Sequence, residues 1–273
     1  MRLSQVTQDS FRPQAFVGAI PARPLVNYVW ISELPAQDSE TRENMCTVPL
    51  QHVHRAIENA NRYPDADFIL WLDNRLLDDL SRFWVASYIY QCSDHRNVIL
   101  CDLNAIPAYS GEDLFKNTDH KGKNRSGAGS VYVRADCARI LVLDHCLKQN
   151  RDRPFILYSD IDCPDLKLAE AGRVVQQHGV AINSLGRFFW ITSHGYIALS
   201  PSRRDVGMLF PLLCDETIKA AQKGDLGDRA FSRFLNRLGH YAIINRRGIQ
   251  LRALPPMRQN IEALPYLQLL GIS

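Results

Sequence analysis

Two aspartates near the middle of the chain have the type and spacing of a metal-binding pair. In the stretch RDRPFILYSDIDCPD, a short apolar run ends at Ser159, and Asp160 and Asp162 follow it. Two carboxylates on one short turn repel each other unless a counter-charge lies between them, and a divalent cation with oxygen ligands supplies that charge. The pattern therefore indicates Mg²⁺ or Mn²⁺ bridging a diphosphate. The alternative is a hydrated turn capped by aspartate.

The same spacing occurs a second time, in PDADF, where Asp65 and Asp67 precede an apolar run instead of following it. Ligands of open parallel sheets bind beyond the carboxyl ends of the strands. We therefore interpret Asp65 and Asp67 as turn and solvent-facing residues at the opposite, amino end. The position of the pair relative to a strand, more than the spacing itself, favours a site at Asp160 and Asp162.

Apolar runs alternate with helical patterns along the chain. The predicted strands cover residues 24–31, 67–74, 97–103 and 153–160, followed by the shorter segments 180–183, 187–193 and 196–200. Helices are predicted after Pro49, where Leu50, Val53, Ile57 and Ala60 share one face, and over 76–90, 131–148, 202–222 and 225–238. This alternation predicts an α/β fold with a mostly parallel sheet covered by helices.

Two segments lack a periodic pattern. Residues 111–129 are polar and rich in glycine, which predicts a loop. Residues 246–273 carry prolines and leucines without clean periodicity and are predicted to form an irregular tail that packs on the sheet, with a lid as the alternative.

Composition excludes several classes of protein. Of the 273 residues, 46% are hydrophobic and 22% are charged, which disfavours disordered and collagen-like chains. The net charge of +3 gives no strong field for nucleic acid. Since no stretch approaches the ~20 apolar residues of a membrane span and no signal peptide is readable, we expect a soluble protein without integral membrane association. The seven cysteines, none in a C-x-x-C arrangement, predict reduced thiols.

Four segments occur in an order that resembles one group of enzymes. They are NYVWIS at 27–32, LWLDN at 70–74, RADCARI at 134–140 and LYSDIDC at 157–163. The order is similar to the catalytic domains of large clostridial glucosylating toxins and related bacterial effector glycosyltransferases, which have a GT-A fold and a D-x-D motif. The resemblance covers residues 26–163, and it departs from the family where Ala135 replaces a serine.

The resemblance implies roles for individual residues. The residues implied to bind the sugar-nucleotide donor are Val29, Trp30, Asn74, Asp136, Arg139, Tyr158 and Asp160. Trp30 would stack on uracil, and Asp136 and Arg139 would contact the sugar. Asp160, Asp162, Asp136 and Arg139 are the candidate catalytic residues. Asp162 and Asp160 would hold Mn²⁺ or Mg²⁺, with Asn260 and Glu262 as the candidate ligands from the tail.

The residues alone leave other interpretations open. Trp30 could be an ordinary core aromatic, and Asn74 could simply end a strand. Asp136 and Arg139 share one helix face and could form a surface ion pair worth ~0–1 kcal/mol. His52 and His54 are interpreted as solvated histidines, because they point to different faces of a helix.

The resemblance implies one GT-A-like domain over residues 1–273, with a nucleotide-sugar core at 24–200 and a helical and tail segment at 201–273. It implies a metal-dependent enzyme that transfers a sugar from a UDP-sugar, with retention, to an acceptor such as a protein side chain of a host cell. That activity would suit a secreted bacterial toxin or effector acting in a host cytosol. The alternatives are a haloacid-dehalogenase-like phosphohydrolase and a catalytically silent sugar-nucleotide-binding adaptor.

Overall fold

A mixed α/β sheet organises the chain. The computed structural model describes residues 22–32, 48–110, 131–163, 165–184, 192–222 and 250–254. The strands are β1 (Leu25–Trp30), β2 (Asp67–Leu72), β3 (Val98–Asp102), β4 (Ile156–Ser159), β5 (Gly179–Ser184), β6 (Thr192–Leu199) and β7 (Gln250–Leu254). The helices are α1 (Leu50–Arg62), α2 (Asp79–Cys92), the four-residue α3 (Pro107–Ser110), α4 (Val131–Gln149), α5 (Leu168–His178) and α6 (Arg204–Gln222).

The seven strands are ordered β3-β2-β1-β4-β6-β5-β7. Strands β1 to β4 are mutually parallel, β6 is antiparallel to β4 and β5, and β7 is parallel to β5. The predicted mostly parallel, helix-covered sheet is thus confirmed. Strands β2 and β3 follow β1 on one side of it, and β4 lies on its other side. The direction in which the chain crosses the sheet therefore reverses between β1 and β4. In open α/β sheets, ligands bind beyond the carboxyl ends of the strands at such a reversal.

Helices cover both faces of the sheet. On one face, α4 and α6 bury apolar side chains such as Leu141 and Phe210. On the other face, α1, α2 and α5 contribute residues such as Val53, Val85 and Val174. The strands read as continuous apolar runs because both of their faces are buried.

Most predicted elements are present, with differences in the second half. Helix α5 was not predicted, although Leu168, Ala171, Val174 and Val175 are its buried residues and follow helical spacing. Of the predicted strand at 187–193, only residues 192 and 193 are described, and they belong to β6, which continues through most of the predicted strand at 196–200. Strand β7 lies in the segment predicted to be irregular, and it packs on the sheet beside β5, as expected for that segment. The predicted loop at 111–129, the helix at 225–238 and the tail from 255 lie outside the described residues.

Candidate functional site

Asp160 stands directly after β4, at the reversal of strand order. Its backbone N–H donates to Gly195 O at 2.8 Å, and its backbone carbonyl accepts from the N–H of Cys163 at 3.0 Å. These bonds fix the turn that carries both aspartates. The carboxyl end of β4 lies beside that of β1, so the turn borders the crevice expected from the strand order.

Arg139 links helix α4 to this turn. Its Nη2 lies 2.7 Å from Asp136 Oδ1, and its Nη1 lies 3.4 Å from Asp160 Oδ1. Asp136 is only 4% exposed and Arg139 only 7% exposed, so the interpretation as a surface ion pair is wrong. Burial opposes the positive charge, but Tyr158, Asp160 and Asp136 outweigh it and raise the pKa of Arg139 above its ordinary value. The guanidinium is a fixed buried cation between two carboxylates.

Tyr158, in β4, completes this buried group. Its hydroxyl donates to Asp160 Oδ1 at 2.9 Å, and the Arg139 guanidinium carbon lies 4.9 Å from the centre of its ring. Burial holds the pKa of Tyr158 well above its ordinary value, so the hydroxyl remains a donor. Oδ1 of Asp160 is therefore held from two sides, while Oδ2 makes no hydrogen bond to a described residue.

Asp162 is the more solvent-accessible member of the pair. Removal of water by the surrounding protein, together with the negative charge of Asp160, raises the pKa of the Asp162 carboxyl. Two neighbouring carboxylates repel each other when both are ionised, and a cation that prefers oxygen ligands relieves this repulsion. Mg²⁺ is commonly held by one or two carboxylates plus substrate phosphates. The donor set of Asp160 and Asp162 fits Mn²⁺ or Mg²⁺ in this way. In the described part of the chain, no cluster of three or more metal-ligating side chains occurs.

Trp30 ends β1 next to the same turn and is half-buried. The ring of His52 lies against it, with 4.8 Å between ring centres and 34° between planes. Burial lowers the pKa of His52, and the nearby Asp162 opposes that shift. His52 is half-buried against Trp30, and His54 is half-buried as well, so the interpretation of both as solvated histidines is wrong. The position of His52 in the first turn of α1 could have indicated that it lies near the site, because that turn lies at the carboxyl edge of the sheet.

Val29 is a core residue, whereas Asn74 lies in a turn after a strand. Val29 is 6% exposed and belongs to the core on the α4 face, so only its backbone could reach a ligand. Asn74 follows β2 and opens a 3₁₀ turn, and its backbone N–H donates to Asp102 Oδ1 at 3.4 Å. Both residues lie at the carboxyl edge. Asn260 and Glu262, the candidate ligands from the tail, lie outside the described residues.

Asp73 centres a second polar network at this edge, one that the sequence did not reveal. The carboxylate is 2% exposed and accepts from Arg75, from Asn104 Nδ2 at 2.9 Å and from the Tyr109 hydroxyl at 2.8 Å. Arg75 donates through both Nε and Nη2, at 3.1 and 3.0 Å. Burial alone would raise the pKa of Asp73, but hydrogen bonds from Arg75, Asn104 and Tyr109 lower it. The network fixes the turn that carries Asn74.

The second D-x-D copy lies away from this edge, as expected. Asp67 is the first residue of β2 and forms ion pairs with Arg153 and, at 3.9 Å, Arg23. It is half-buried, so its interpretation as solvent-facing is wrong, whereas Asp65 is exposed. Ion pairs with two arginines leave Asp67 no role at the carboxyl edge.

The described cysteines are free thiols, as predicted from their spacing. Four of them, Cys137, Cys146, Cys163 and Cys214, are buried. Among the described helices, none is long and apolar enough to cross a membrane.

Comparison with protein-family models and with curated proteins gives no match. Similar solved structures include the PaToxG glycosyltransferase, at 13% identity over 83% of this chain and 75% of that chain, with a TM-score of 0.44. Mouse xyloside xylosyltransferase 1 in its apo form is 12% identical over 86% of this chain and 85% of that one, with a TM-score of 0.45. The galactosyltransferase LgtC, in complex with donor and acceptor sugar analogs, is 11% identical over 83% and 72%, with a TM-score of 0.46.

Proposed function

We propose that this chain is a glycosyltransferase that takes a sugar from a UDP-sugar donor at the crevice between β1 and β4. One observation carries the proposal: the buried Arg139 holds Asp136 and Asp160 together at the carboxyl edge of the sheet, where the strand order reverses. A buried ion pair is costly to maintain, and such groups are concentrated at functional sites. The sequence resemblance supplies the reaction class, and the geometry supports the residues assigned to it.

In this proposal, different residues bind different parts of the sugar-nucleotide donor. Trp30 is half-buried at the end of β1, and His52 covers one face of its ring. The other face stacks on the uracil base. Oδ2 of Asp160, which makes no hydrogen bond to a described residue, accepts from ribose or sugar hydroxyls, because Tyr158 and Arg139 keep Oδ1 occupied. Arg139 and Asp136 position the sugar, and Asn74 lines the nucleotide side of the crevice. Val29 contributes through its backbone only.

Asp162 and Asp160 would hold Mn²⁺ or Mg²⁺, with Asn260 and Glu262 as further candidate ligands. When bound, the metal neutralises the diphosphate that departs with the nucleotide. The protein's own contribution is to keep two carboxylates on one short turn, which the backbone bonds of Asp160 make rigid. No described side chain is assigned as a base for the acceptor.

The finer parts of the proposal rest on the resemblance alone. They are retention at the transferred sugar, a protein side chain of a host cell as acceptor, and a single domain with its core at 24–200 and a helical and tail segment at 201–273. Treating a eukaryotic lysate with the protein and UDP-sugars tests the acceptor by mass spectrometry. A sugar adduct on a protein is expected, and products confined to lipids or glycans would contradict this part.

The experiment that tests the enzyme class is a panel of UDP-sugars incubated with the protein and manganese, with release of UDP as the readout. Hydrolysis or transfer of at least one donor is expected. Turnover of a generic aryl phosphate, with no turnover of any UDP-sugar, would instead favour the phosphohydrolase. Metal-dependent UDP binding without turnover would favour the silent adaptor.

A further inference from the structure

A second pocket lies between the end of α4 and the start of α6. Its volume is about 490 Å³, and its lining includes four basic residues, Lys148, Arg151, Arg203 and Arg204. We propose that this pocket binds a phosphate-bearing ligand at a site separate from the donor crevice. The proposal does not depend on the function proposed above.

The pocket lies at the opposite edge of the sheet from Asp160. Arg139, near the middle of helix α4, contacts Asp160 at the carboxyl edge, and the helix ends at Gln149 before the loop that enters β4. In that loop, Arg153 pairs with Asp67, the first residue of β2, which marks the amino edge. Lys148 is roughly 14 Å from Arg139 along the axis of α4 at 1.5 Å per residue. A ligand in this pocket would not occupy the donor crevice.

The charges of the lining are only partly compensated. Asp144 pairs with Lys148 at 2.5 Å, and Asp205 pairs with Arg203 at 2.6 Å. Within the described part of the chain, Arg151 and Arg204 have no ion pair, and both are exposed. Two exposed guanidiniums that form no ion pair with a described residue attract anions, and their planar donors match phosphate oxygens in pairs.

Gly207 leaves the wall of the pocket open. It lies in the first turns of α6, where glycine destabilises a helix relative to alanine. A Cβ built at Gly207 would meet no atom of the described residues within 4 Å, so no packing constraint there requires glycine. Because Gly207 lines the pocket, we expect a side chain at this position to extend into the open space there. Glycine therefore keeps room for a ligand to approach the helix backbone.

An apolar side chain adjoins the basic wall. Met208 lines the pocket and is 48% exposed. A soluble phosphate would use the arginines alone, whereas a lipid headgroup would also bring acyl chains near Met208. The phosphate chemistry is common to both sources, and the experiment separates them.

The test measures binding of inorganic pyrophosphate by calorimetry, with chelator present so that the aspartate pair at Asp160 and Asp162 cannot contribute through a metal. The pocket variants are the double substitution Arg151→Ala/Arg204→Ala and the steric variant Gly207→Leu, which keeps every charge. The matched control is Arg62→Ala/Arg173→Ala, which removes two exposed cations from other helices. In parallel, co-flotation with phosphatidylcholine vesicles, with and without phosphatidylserine, tests the lipid source.

We expect at least ~tenfold weaker binding in both pocket variants, from the lost charged hydrogen bonds or the lost space, and no change in the control. Pyrophosphate binding without flotation would identify a soluble ligand, and flotation that needs phosphatidylserine and the two arginines would identify a headgroup. The proposal is overturned if wild type binds neither probe, if both pocket variants bind like wild type, or if the control loses as much affinity as they do.

Discussion

Arg139 Nη1 lies 3.4 Å from Asp160 Oδ1 and joins the middle of α4 to the turn after β4. The same guanidinium contacts Asp136 at 2.7 Å, so one buried cation fixes two carboxylates from different elements. Because both carboxylates depend on it, we expect changes at this pair to affect stability as well as the proposed activity.

We predict that Asp136→Asn lowers UDP-sugar hydrolysis at least ~tenfold while UDP itself binds within about threefold of wild type. The reason is that the variant weakens the hold on Arg139, which is proposed to position the sugar, and leaves the proposed nucleotide contacts in place. UDP release and UDP titration of the same preparation measure the two effects. Turnover within about twofold of wild type would contradict a role in donor contact.

Arg139→Ala serves as the stability test for the same pair. Removing one partner of a buried ion pair leaves the other charge uncompensated and costs ~3–5 kcal/mol. We therefore expect a clear fall in melting temperature for Arg139→Ala and a smaller one for Asp136→Asn. An unchanged melting temperature for Arg139→Ala would show that the pair is not buried in solution.

Trp30→Ala should weaken uridine and UDP binding by ~1–3 kcal/mol, the value of a lost base stack. Since Trp30 is half-buried, its stability cost should fall below the ~3–5 kcal/mol of a fully buried aromatic. His52→Ala removes the ring that supports Trp30 and should produce a smaller loss of affinity. A large fall in melting temperature with unchanged uridine affinity would instead identify Trp30 as a core aromatic.

Much of the site could be predicted because its residues are local to strand ends. The strand containing Tyr158 is a short apolar run, and the aspartates that follow it are visible in the sequence. The contact of His52 with Trp30 and the bonds to Asp73 from Asn104 and Tyr109 escaped prediction because they join residues distant along the chain, although Arg75, which also contacts Asp73, is only two residues away. Asp73 accepts from Tyr109 and Asn104, and no local spacing reports such contacts.

The fold shows the same division. Strand β1 is buried on both faces and therefore appears as an apolar run. Strand β7 is specified by its pairing with β5, some seventy residues earlier, and its own sequence QLRAL carries little periodicity. A strand buried on both faces can be predicted from its own apolar residues, whereas pairing between strands distant along the chain cannot be predicted from local sequence.

The Asp73 network predicts a pH-dependent contribution to stability. The pKa of Asp73 in the folded protein lies below its ordinary value of 3.8 because of bonds from Arg75, Asn104 and Tyr109. Its contribution is therefore fully present above about pH 4 and is lost as pH falls through the folded pKa. Asp73→Asn should cost ~1–3 kcal/mol of unfolding free energy at neutral pH, with the difference from wild type narrowing in acid.

Denaturant unfolding of wild type and Asp73→Asn, from neutral to acid pH, measures this difference in unfolding free energy. Asp65→Asn is the matched control, because Asp65 is exposed at the opposite edge of the sheet. A difference between wild type and Asp73→Asn that stays constant across the whole range would contradict the assigned pKa shift.

The central claim is tested most directly by the release of UDP from a UDP-sugar in the presence of manganese, comparing wild type with Asp162→Asn. The substitution keeps the size of the side chain and removes the charge that a divalent cation needs. Asp65→Asn removes the same charge from the other D-x-D copy and is the control. We predict turnover by wild type that chelator abolishes, at least ~tenfold slower turnover by Asp162→Asn, and no change in the control. UDP-sugar turnover that persists in chelator and is equal in wild type and Asp162→Asn would contradict the proposed metal-dependent site.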